Sequence, residues 1–331
     1  MPWNCLLNLV KITLLTIPTL YCCKALVHMN EQQLSQALQI SPGKVAEKLQ
    51  QEIMACKKKM NCNRVVLGLS GGIDSAVIAA LCRRVIEGDK ITALIMPDKE
   101  GNKGNTRDAV EMARQLGIHY QLIYLDPFLE SANIRFPVPF IGYRMKSWLV
   151  RIFYKRMKQR TGETPFQTIL KGGGDYAYSS LINKGTANYR FKHRLRLTFL
   201  YQYAEQKNAM AVGAANKTEY LTGFFVKFGI DHNADIMPLL NLYKTQVYEL
   251  AKWLELPQRL ISKPPSPDMI PGITDEFAFE MPYNELDMLL YAMENQIGTE
   301  GSLKEKEDYV RSLYDHSAHM REVYVPALGE Q

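Results

Sequence analysis

Between Val65 and Val77 the chain reads VVLGLSGGIDSAV. Two consecutive glycines, Gly71 and Gly72, two serines, Ser70 and Ser75, and one carboxylate, Asp74, interrupt an apolar run that resumes at once in helix-forming residues. Successive backbone N–H groups at the start of a helix make a cradle for an anion, and glycine removes the Cβ atoms that would hold phosphate oxygens away. Ser70 and Ser75 add hydroxyl donors. A carboxylate beside such a cradle suits a divalent cation lying between it and the anion, because Mg2+ takes carboxylate and phosphate oxygens together. The spacing is not that of a Walker A loop, which needs G-x-x-x-x-G-K-[ST]. A plain glycine turn would require neither the aspartate nor both serines.

A cradle of this kind belongs where a strand hands over to a helix, and the flanking pattern supplies both. Val45–Met60 carries apolar residues at helical spacing, Val65–Leu69 has the continuous apolar run of a buried strand, and Ser75–Val85 reads as the helix packed on it. Ile91–Met96 predicts a second strand, Thr106–Leu116 a second helix stopped at Gly117, and Tyr120–Leu125 a third strand. This order predicts an α/β fold: a doubly wound, mostly parallel sheet with helices on both faces, whose ligands bind at the carboxyl ends of the strands. At 331 residues the chain fills one large α/β domain, or one domain with an appendage.

Net charge is +6, but it is uneven: Asp126 to Arg196 holds fourteen Lys and Arg against four Asp and Glu, which leaves about −4 for the rest. The basic stretch suits a polyanion, whether nucleotide, nucleic acid or acidic membrane surface. Cys5, Cys22, Cys23, Cys56, Cys62 and Cys82 form no C-x-x-C pair and no zinc spacing, so reduced thiols in a cytoplasmic protein are expected. Leu6–Val27 has the outline of a signal or short anchor, yet Asn8, Pro18, Tyr21 and Lys24 interrupt it and no A-x-A-like site follows. Helical patterning of a water-facing kind begins just after Met29. Residues 1–28 are therefore expected to be an extension that the fold does not need, and residues 29–331 the folded unit.

S-G-G-x-D-S between strand and helix resembles the pyrophosphate (PP) loop of the ATP pyrophosphatase superfamily. Downstream stand VGAANKTE, YLTGFFVKFG, ADIMPLLNLYKTQVYELAKWL, KPPSPDMIPGITDE and MPYNELD. In order and spacing these resemble ammonia-dependent NAD synthetase, whose members carry G-[TS]-x-N-K-[ST]-E, G-[YF]-F-T-K-[YF]-G, D-[IL]-x-P-x-x-x-L-x-K-[TR]-Q-V, K-x-P-[ST], and T-D-E before Y-x-x-[IL]-D. HMREVYVPAL resembles the family's closing H-x-R-x-x-P segment, with its proline two places late. The likeness runs from about Gln33 to the end, apart from an insert at about 127–186.

The resemblance implies an adenine nucleotide alpha-hydrolase-like fold and a reaction. Deamido-NAD, ATP and ammonia would give NAD, AMP and pyrophosphate through an adenylated carboxylate, with free ammonia as donor because no glutaminase segment precedes the loop. Ser70, Gly71, Gly72, Asp74 and Ser75 would bind ATP, Asp74 and Glu219 would hold magnesium, and Lys244 and Ser266 would stand at the phosphates. Lys192, Arg194, Lys227 and Asp235 would face deamido-NAD; Lys192, Arg194 and Arg196 match the family's K-x-R-x-R helix, which also implies a homodimer.

Three departures fall on the acceptor side. The family's Asn is Arg190 here, its Thr or Ser is Ala214, and Asp-Gly-Gly-x-Asp becomes the longer Ile230–Asp235. They leave open a PP-loop ligase or tRNA-modifying enzyme acting on another acceptor, or a non-catalytic nucleotide-binding relative. Within the insert, Arg144–Arg160 predicts a basic amphipathic helix with Met145, Trp148, Leu149, Ile152, Phe153 and Met157 on one stripe. Nucleic acid or an anionic membrane would suit it, but packing on the core or a lid is the expected use. The flanking FPVPFIGY and KGGGDYAYSS are expected to be hinges.

Overall fold

The computed structural model describes residues 27–134, 143–172, 179–266, 273–324 and 326. The labelled elements are, in chain order, α1 (Pro42–Lys59), β1 (Arg64–Gly68), α2 (Ile73–Val85), β2 (Ile91–Ile95), α3 (Lys103–Leu116), β3 (His119–Leu122), α4 (Tyr143–Thr161), α5 (Ser179–Lys207), β4 (Ala209–Val212), α6 (Lys217–Thr222), α7 (Lys244–Trp253), α8 (Asp275–Phe279), α9 (Tyr283–Glu294) and α10 (Glu307–His316). The four strands form one parallel sheet in the order β3-β2-β1-β4. Val65 stands opposite Ile91 on one side and Met210 on the other. Chain direction across the sheet therefore reverses at β1, and the crevice at the carboxyl ends of β1 and β4 is the switch point where ligands bind in such sheets.

Alternation along the strands sorts the core into two layers. Val65, Leu67, Ile91, Ala93 and Met210 face α1, α2, α3 and α7, whereas Val66, Leu94, Ala209 and Ala211 face Leu200 and Ala204 of α5. Helices thus cover both faces, as the sequence order requires. A third cluster, built on Phe279, Leu286, Leu290, Val310 and Leu313, joins α8, α9 and α10. No helix among the described residues is long and apolar enough to cross a membrane.

Boundaries differ from the sequence expectation where polar groups decide them. Helix α2 begins at Ile73 rather than Ser75, capped by Gly72, so Asp74 and Ser75 both lie in its first turn. Helix α3 begins at Lys103, where the Asn102 side chain accepts from Gly104 N, and ends at Gly117 in the left-handed region (φ 61°). Strand β3 stops at Leu122, three residues early, because Leu125 turns inward, bonds Pro97 O and starts a short helix at Asp126.

Helix α4 matches its expected span within a residue at each end, but its buried side coincides only in part with the expected stripe. Tyr154 and Met157 are buried, while Trp148 is 59% exposed. Val150 and Tyr154 pack on Ile273, Phe277 and Ala278, and Lys158 pairs with Glu280 at 2.6 Å. Most of the two expected hinge segments, nearly all of residues 1–28 and three of the cysteines lie outside the described residues. Val27, His28 and Met29 are part of the fold, since Gly298 N donates to Val27 O and His28 and Met29 pair with Gly298 and Thr299. Cys56, Cys62 and Cys82 are free thiols, and burial pushes that of Cys82 up to about 12.

Candidate active site

The Ser70–Ser75 loop is wound on its own polar groups. The Ser75 hydroxyl accepts from Ser70 N (3.2 Å) and donates to Gly72 O (3.2 Å), the two serine oxygens are 3.0 Å apart, and Gly72 N donates to Ser70 Oγ (3.1 Å). Gly71 has φ 80°, and a Cβ there would stand 2.1 Å from the Asn105 carbonyl oxygen. Only glycine satisfies both conditions. The loop opens into a cavity of about 910 Å³, within the size range of small-molecule sites.

Opposite the loop, α7 delivers Lys244 from its first position. The residue is 1% exposed, and its ammonium lies 2.6 Å from Asp74 Oδ2 and 3.4 Å from Glu219 Oε1. Asn216 completes the arrangement: Nδ2 donates to Asp74 Oδ1 (3.0 Å), and Oδ1 accepts from Glu219 N (3.0 Å), capping α6. Behind this layer the Thr218 hydroxyl accepts from Lys244 N (2.9 Å) and donates to Asp287 Oδ1 (2.5 Å), while Asp287 Oδ2 accepts from Thr245 N (2.8 Å). Asp287, fully buried on α9, therefore fixes the starts of both α6 and α7.

A third acid closes the pocket. Asp275 Oδ2 accepts from Tyr283 OH (2.8 Å), and Asp275 Oδ1 is buried with no partner among the described residues. Burial, reinforced by Asp74 and Asp275 against the opposing pull of Lys244, pushes the Glu219 carboxyl up to about 8. Burial raises Asp275 to about 6 in the same way. Lys244 moves the other way from what burial dictates, because Asp74 and Glu219 outweigh desolvation and raise its ammonium. Buried together, three carboxyl groups crowd one ammonium beside an anion cradle, which is why the proton is held more tightly on Glu219 and Asp275 than on an ordinary carboxylate.

Residues 45–137 and 153–324 match the family model for NAD synthase. The chain belongs to the NAD synthase family. An NH(3)-dependent NAD(+) synthetase of Thermotoga neapolitana is 38% identical over 266 residues, 80% of this chain and 89% of that protein. One of Archaeoglobus fulgidus is 32% identical over 283 residues, 85% of this chain and 94% of its own. Among solved structures, an NMN synthetase from Francisella tularensis superposes over 88% of this chain and 100% of its own, at 27% identity and a TM-score of 0.65. The NH3-dependent NAD synthetase of Campylobacter jejuni, at 24% identity and a TM-score of 0.56, shares the fold over 90% of this chain and 100% of its own.

The residues expected at the phosphate end of an NAD synthase site converge: Ser70, Gly71, Gly72, Asp74, Ser75, Glu219, Lys244 and Ser266 all line the cavity. Ser266 Oγ donates to Ile273 O (3.0 Å), closing the neck of the Lys263 segment. Lys263 itself, given no role in the sequence, donates to Gly71 O (3.1 Å) and pairs with Asp108 (2.7 Å), so it ties that segment to the loop. Asn216, Asp275 and Asp287 also went unassigned, although all three stand inside the family motifs. For them the sequence signal was present.

The acceptor-side residues sit differently. Lys192 is buried and bonds Glu100 (2.6 Å) and Asp98 (3.2 Å), and Arg196 adds a bond to Asp98 at 3.1 Å. Burial opposes charge at Asp98, but Lys192 and Arg196 prevail and hold its carboxyl below the usual range. Arg194 donates to Lys227 O (3.2 Å), and Lys227 Nζ donates to the carbonyls of His319 (2.6 Å) and Glu322. Asp235 accepts from Tyr201 OH (3.1 Å) and Ala211 N (2.7 Å) at the edge of β4. The cavity wall on this side is made instead by Tyr189, His193, Phe224, Ile230 and Asp231. His193 Nδ1 faces the Asp231 carboxylate, and His232 turns away to pack on Phe225 with ring centroids 4.2 Å apart. Ala214 lines the cavity too, so two of the three sequence departures are at its surface.

Proposed function

We propose that this chain is a carbon–nitrogen ligase that amidates deamido-NAD (nicotinic acid adenine dinucleotide) to NAD with ATP and ammonia. The observation that carries the reading is Lys244 Nζ, buried between Asp74 and Glu219 opposite the Ser70–Ser75 loop. The acceptor carboxylate attacks the α-phosphorus of ATP, the α–β bridging bond breaks, and pyrophosphate leaves into the loop. Ammonia then attacks the acyl carbon of the adenylate, AMP leaves with the C–O bond electrons, and a proton is released as the amide forms. Backbone N–H groups at the start of α2 and the Lys244 ammonium are placed for the charge that gathers on the leaving phosphates, where fixed donors count most.

Magnesium suits this donor set. Asp74 and Glu219 stand side by side on the Lys244 ammonium, and Asp275 Oδ1 is a buried acceptor without a donor among the described residues. Among the described residues no three His, Cys, Asp or Glu side chains form an all-protein metal site. Asp74 and Glu219 would therefore hold the ion together with phosphate oxygens and water, the usual partnership for Mg2+. When bound, it would neutralise phosphate charge as the bond to pyrophosphate breaks.

On the acceptor side, Lys192 and Asp235 hold the walls, while Arg194 and Lys227 stand on an exposed face beside Phe191. We assign that face to a site completed by a second copy, in line with a homodimer. A mononucleotide acceptor is a second reading, favoured by the likeness to an NMN synthetase and by the altered 230–235 wall. The test is a product assay on the full chain with ATP, magnesium, ammonium and either acceptor. Equal yields of AMP, pyrophosphate and NAD, abolished by Asp74→Asn, support the reading; cleavage of ATP only with the mononucleotide moves the acceptor, and no cleavage with either overturns it.

A further inference from the structure

Three sulfur-bearing side chains, Cys56, Met60 and Cys62, meet where helix α1 ends. Two backbone bonds close that end, Asn61 N to Lys58 O and Cys62 N to Lys57 O, each 3.1 Å, with Asn61 in the left-handed region (φ 53°). A closure of this kind turns the chain back so that the residue after the left-handed one packs on side chains of the last full turn. Cys62 is thereby returned toward Cys56. Cys56 and Met60, four residues apart, share a helix face. Cys56 Sγ lies 3.9 Å from Met60 Sδ, and Cys62 Sγ lies 3.7 Å from Met60 O. On its other side, Cys56 Sγ stands 3.9 Å from Asp235 O.

An apolar pair would close such a helix end; two thiols and a thioether are more than closure requires. Soft thiolate and thioether donors select ions such as Cu(I). A closed Zn2+ site takes four donors, whereas among the described residues no third His, Cys, Asp or Glu joins the two thiols. Metal–sulfur bonds of about 2.3 Å, at tetrahedral or trigonal angles, hold two sulfurs about 3.8–4.0 Å apart. The Cys56–Met60 separation already has that value. Burial, then the Asp235 charge and, over the opposing pull of Lys59, the neighbouring Cys62 hold the Cys56 proton more tightly than in an ordinary thiol. Thiols so held oxidise slowly and stay available as ligands. Lys57, Lys58 and Lys59 at the same helix end offset the negative charge that two thiolates around one monovalent cation leave. Met60 is 40% exposed and both thiols are half-buried, so an ion can enter from solvent.

We propose that Cys56, Met60 and Cys62 form a three-sulfur site for a soft monovalent cation of the cuprous class. Each thiol releases its proton to solvent as its bond to the ion forms, and no electron is transferred. The site does not depend on the proposed amidation.

The test uses the full chain carrying Cys5→Ser, Cys22→Ser and Cys23→Ser, so that those thiols do not report, titrated anaerobically with Cu(I) against the chromophoric chelator bicinchoninate. One ion per chain is expected, with three sulfur neighbours in X-ray absorption. Adding Cys56→Ser or Cys62→Ser is expected to lower the affinity by more than the about 10- to 100-fold that losing a contact to a metal ligand costs. Met60→Leu keeps the side-chain volume and is expected to bind more weakly, with two sulfur neighbours. Melting curves without copper check that each variant folds, and Zn2+ is expected not to displace Cu(I). The proposal is overturned if the parent itself shows fewer than three sulfur neighbours, if Met60→Leu shows as many as the parent, if replacing both Cys56 and Cys62 by Ser leaves the affinity within twofold, or if Zn2+ drives Cu(I) out.

Discussion

At the end proposed to hold phosphates, Lys244, Asp74, Asn216 and Glu219 bond one another across α2, α6 and α7; at the end proposed to face the acceptor, Lys192, Arg194, Lys227 and Asp235 bond part-buried acids, carbonyls and a strand edge. The first group is a cluster of carboxyl groups around one ammonium, turned toward a cavity. The second is a scaffold whose polar groups are already satisfied. A cluster of the first kind changes partners when a cation and phosphates arrive, whereas satisfied wall residues set shape. On the proposed function, recognition of the acceptor would fall to the side chains that face the cavity there, Tyr189, His193, Phe224 and Asp231.

The largest expected effect of breaking this contrast is Lys244→Met. Removing a fixed donor from a developing oxyanion costs about 10²–10³-fold in kcat, and taking the shared cation from Asp74 and Glu219, which keep their bonds to Asn216, costs about 1–3 kcal/mol of stability. Turnover and urea melts measure the two. Loss of stability with kcat intact would make the cluster a structural ion pair. Next is Gly71→Ala, where a left-handed backbone and a Cβ 2.1 Å from Asn105 O must both be relieved. Strain of this kind costs about 1–3 kcal/mol, and each 1.4 kcal/mol is tenfold in affinity. KM for ATP should rise at least about tenfold, while KM for the acceptor stays near wild type.

Asp287→Asn tests the layer behind the cluster. An amide accepts from Thr218 but offers N–H to Thr245 N–H, so stability should fall by about 1–3 kcal/mol. It should also flatten the pH profile. Burial raises the folded carboxyl to about 6, above its ordinary 3.8. The proton is thus held more tightly in the folded state, so this group's stabilising contribution is full below about pH 4 and is lost as pH rises through about 6. Denaturant melts from pH 4 to 7 should show a smaller decline in the variant than in wild type.

What was legible in the sequence follows the same division. The loop could be read because its geometry demands particular residues: only glycine tolerates the Gly71 backbone, and two serines and an acid are costly to place there without a ligand. Strands β1 and β2 could be read because they are buried on both faces and hence apolar runs, whereas β4, equally buried but only four residues long, was not expected from the sequence. Asn216, Asp275 and Asp287 were visible as letters in motifs, but their roles were not, since Asn216 and Asp287 act across 142 and 42 residues of sequence on partners that only folding brings near, and Asp275 meets the charge of Lys244 only in the folded pocket. Helix α4 shows the limit of periodicity. Its span followed from spacing, whereas its buried side depends on Ile273 and Phe277, so Tyr154 went in and Trp148 stayed out.

The smallest effect bears on Asp235, where the two ends of the comparison would exchange roles if it failed. Its carboxylate accepts from Ala211 N and Tyr201 OH, holding the 230–235 turn against β4, and Asp235 N in turn donates to Ala211 O (3.1 Å). Asp235→Ala removes both acceptors, but the site is part-buried and water can reach the freed donors, so the expected loss is about 1 kcal/mol. If the residue acts only as a wall, KM for deamido-NAD moves no more than twofold while the melting temperature falls. A rise in that KM at unchanged stability would place the carboxylate on the nucleotide, and the acceptor end would then share the character of the phosphate end, with side chains that trade a partner in the protein for one in the ligand.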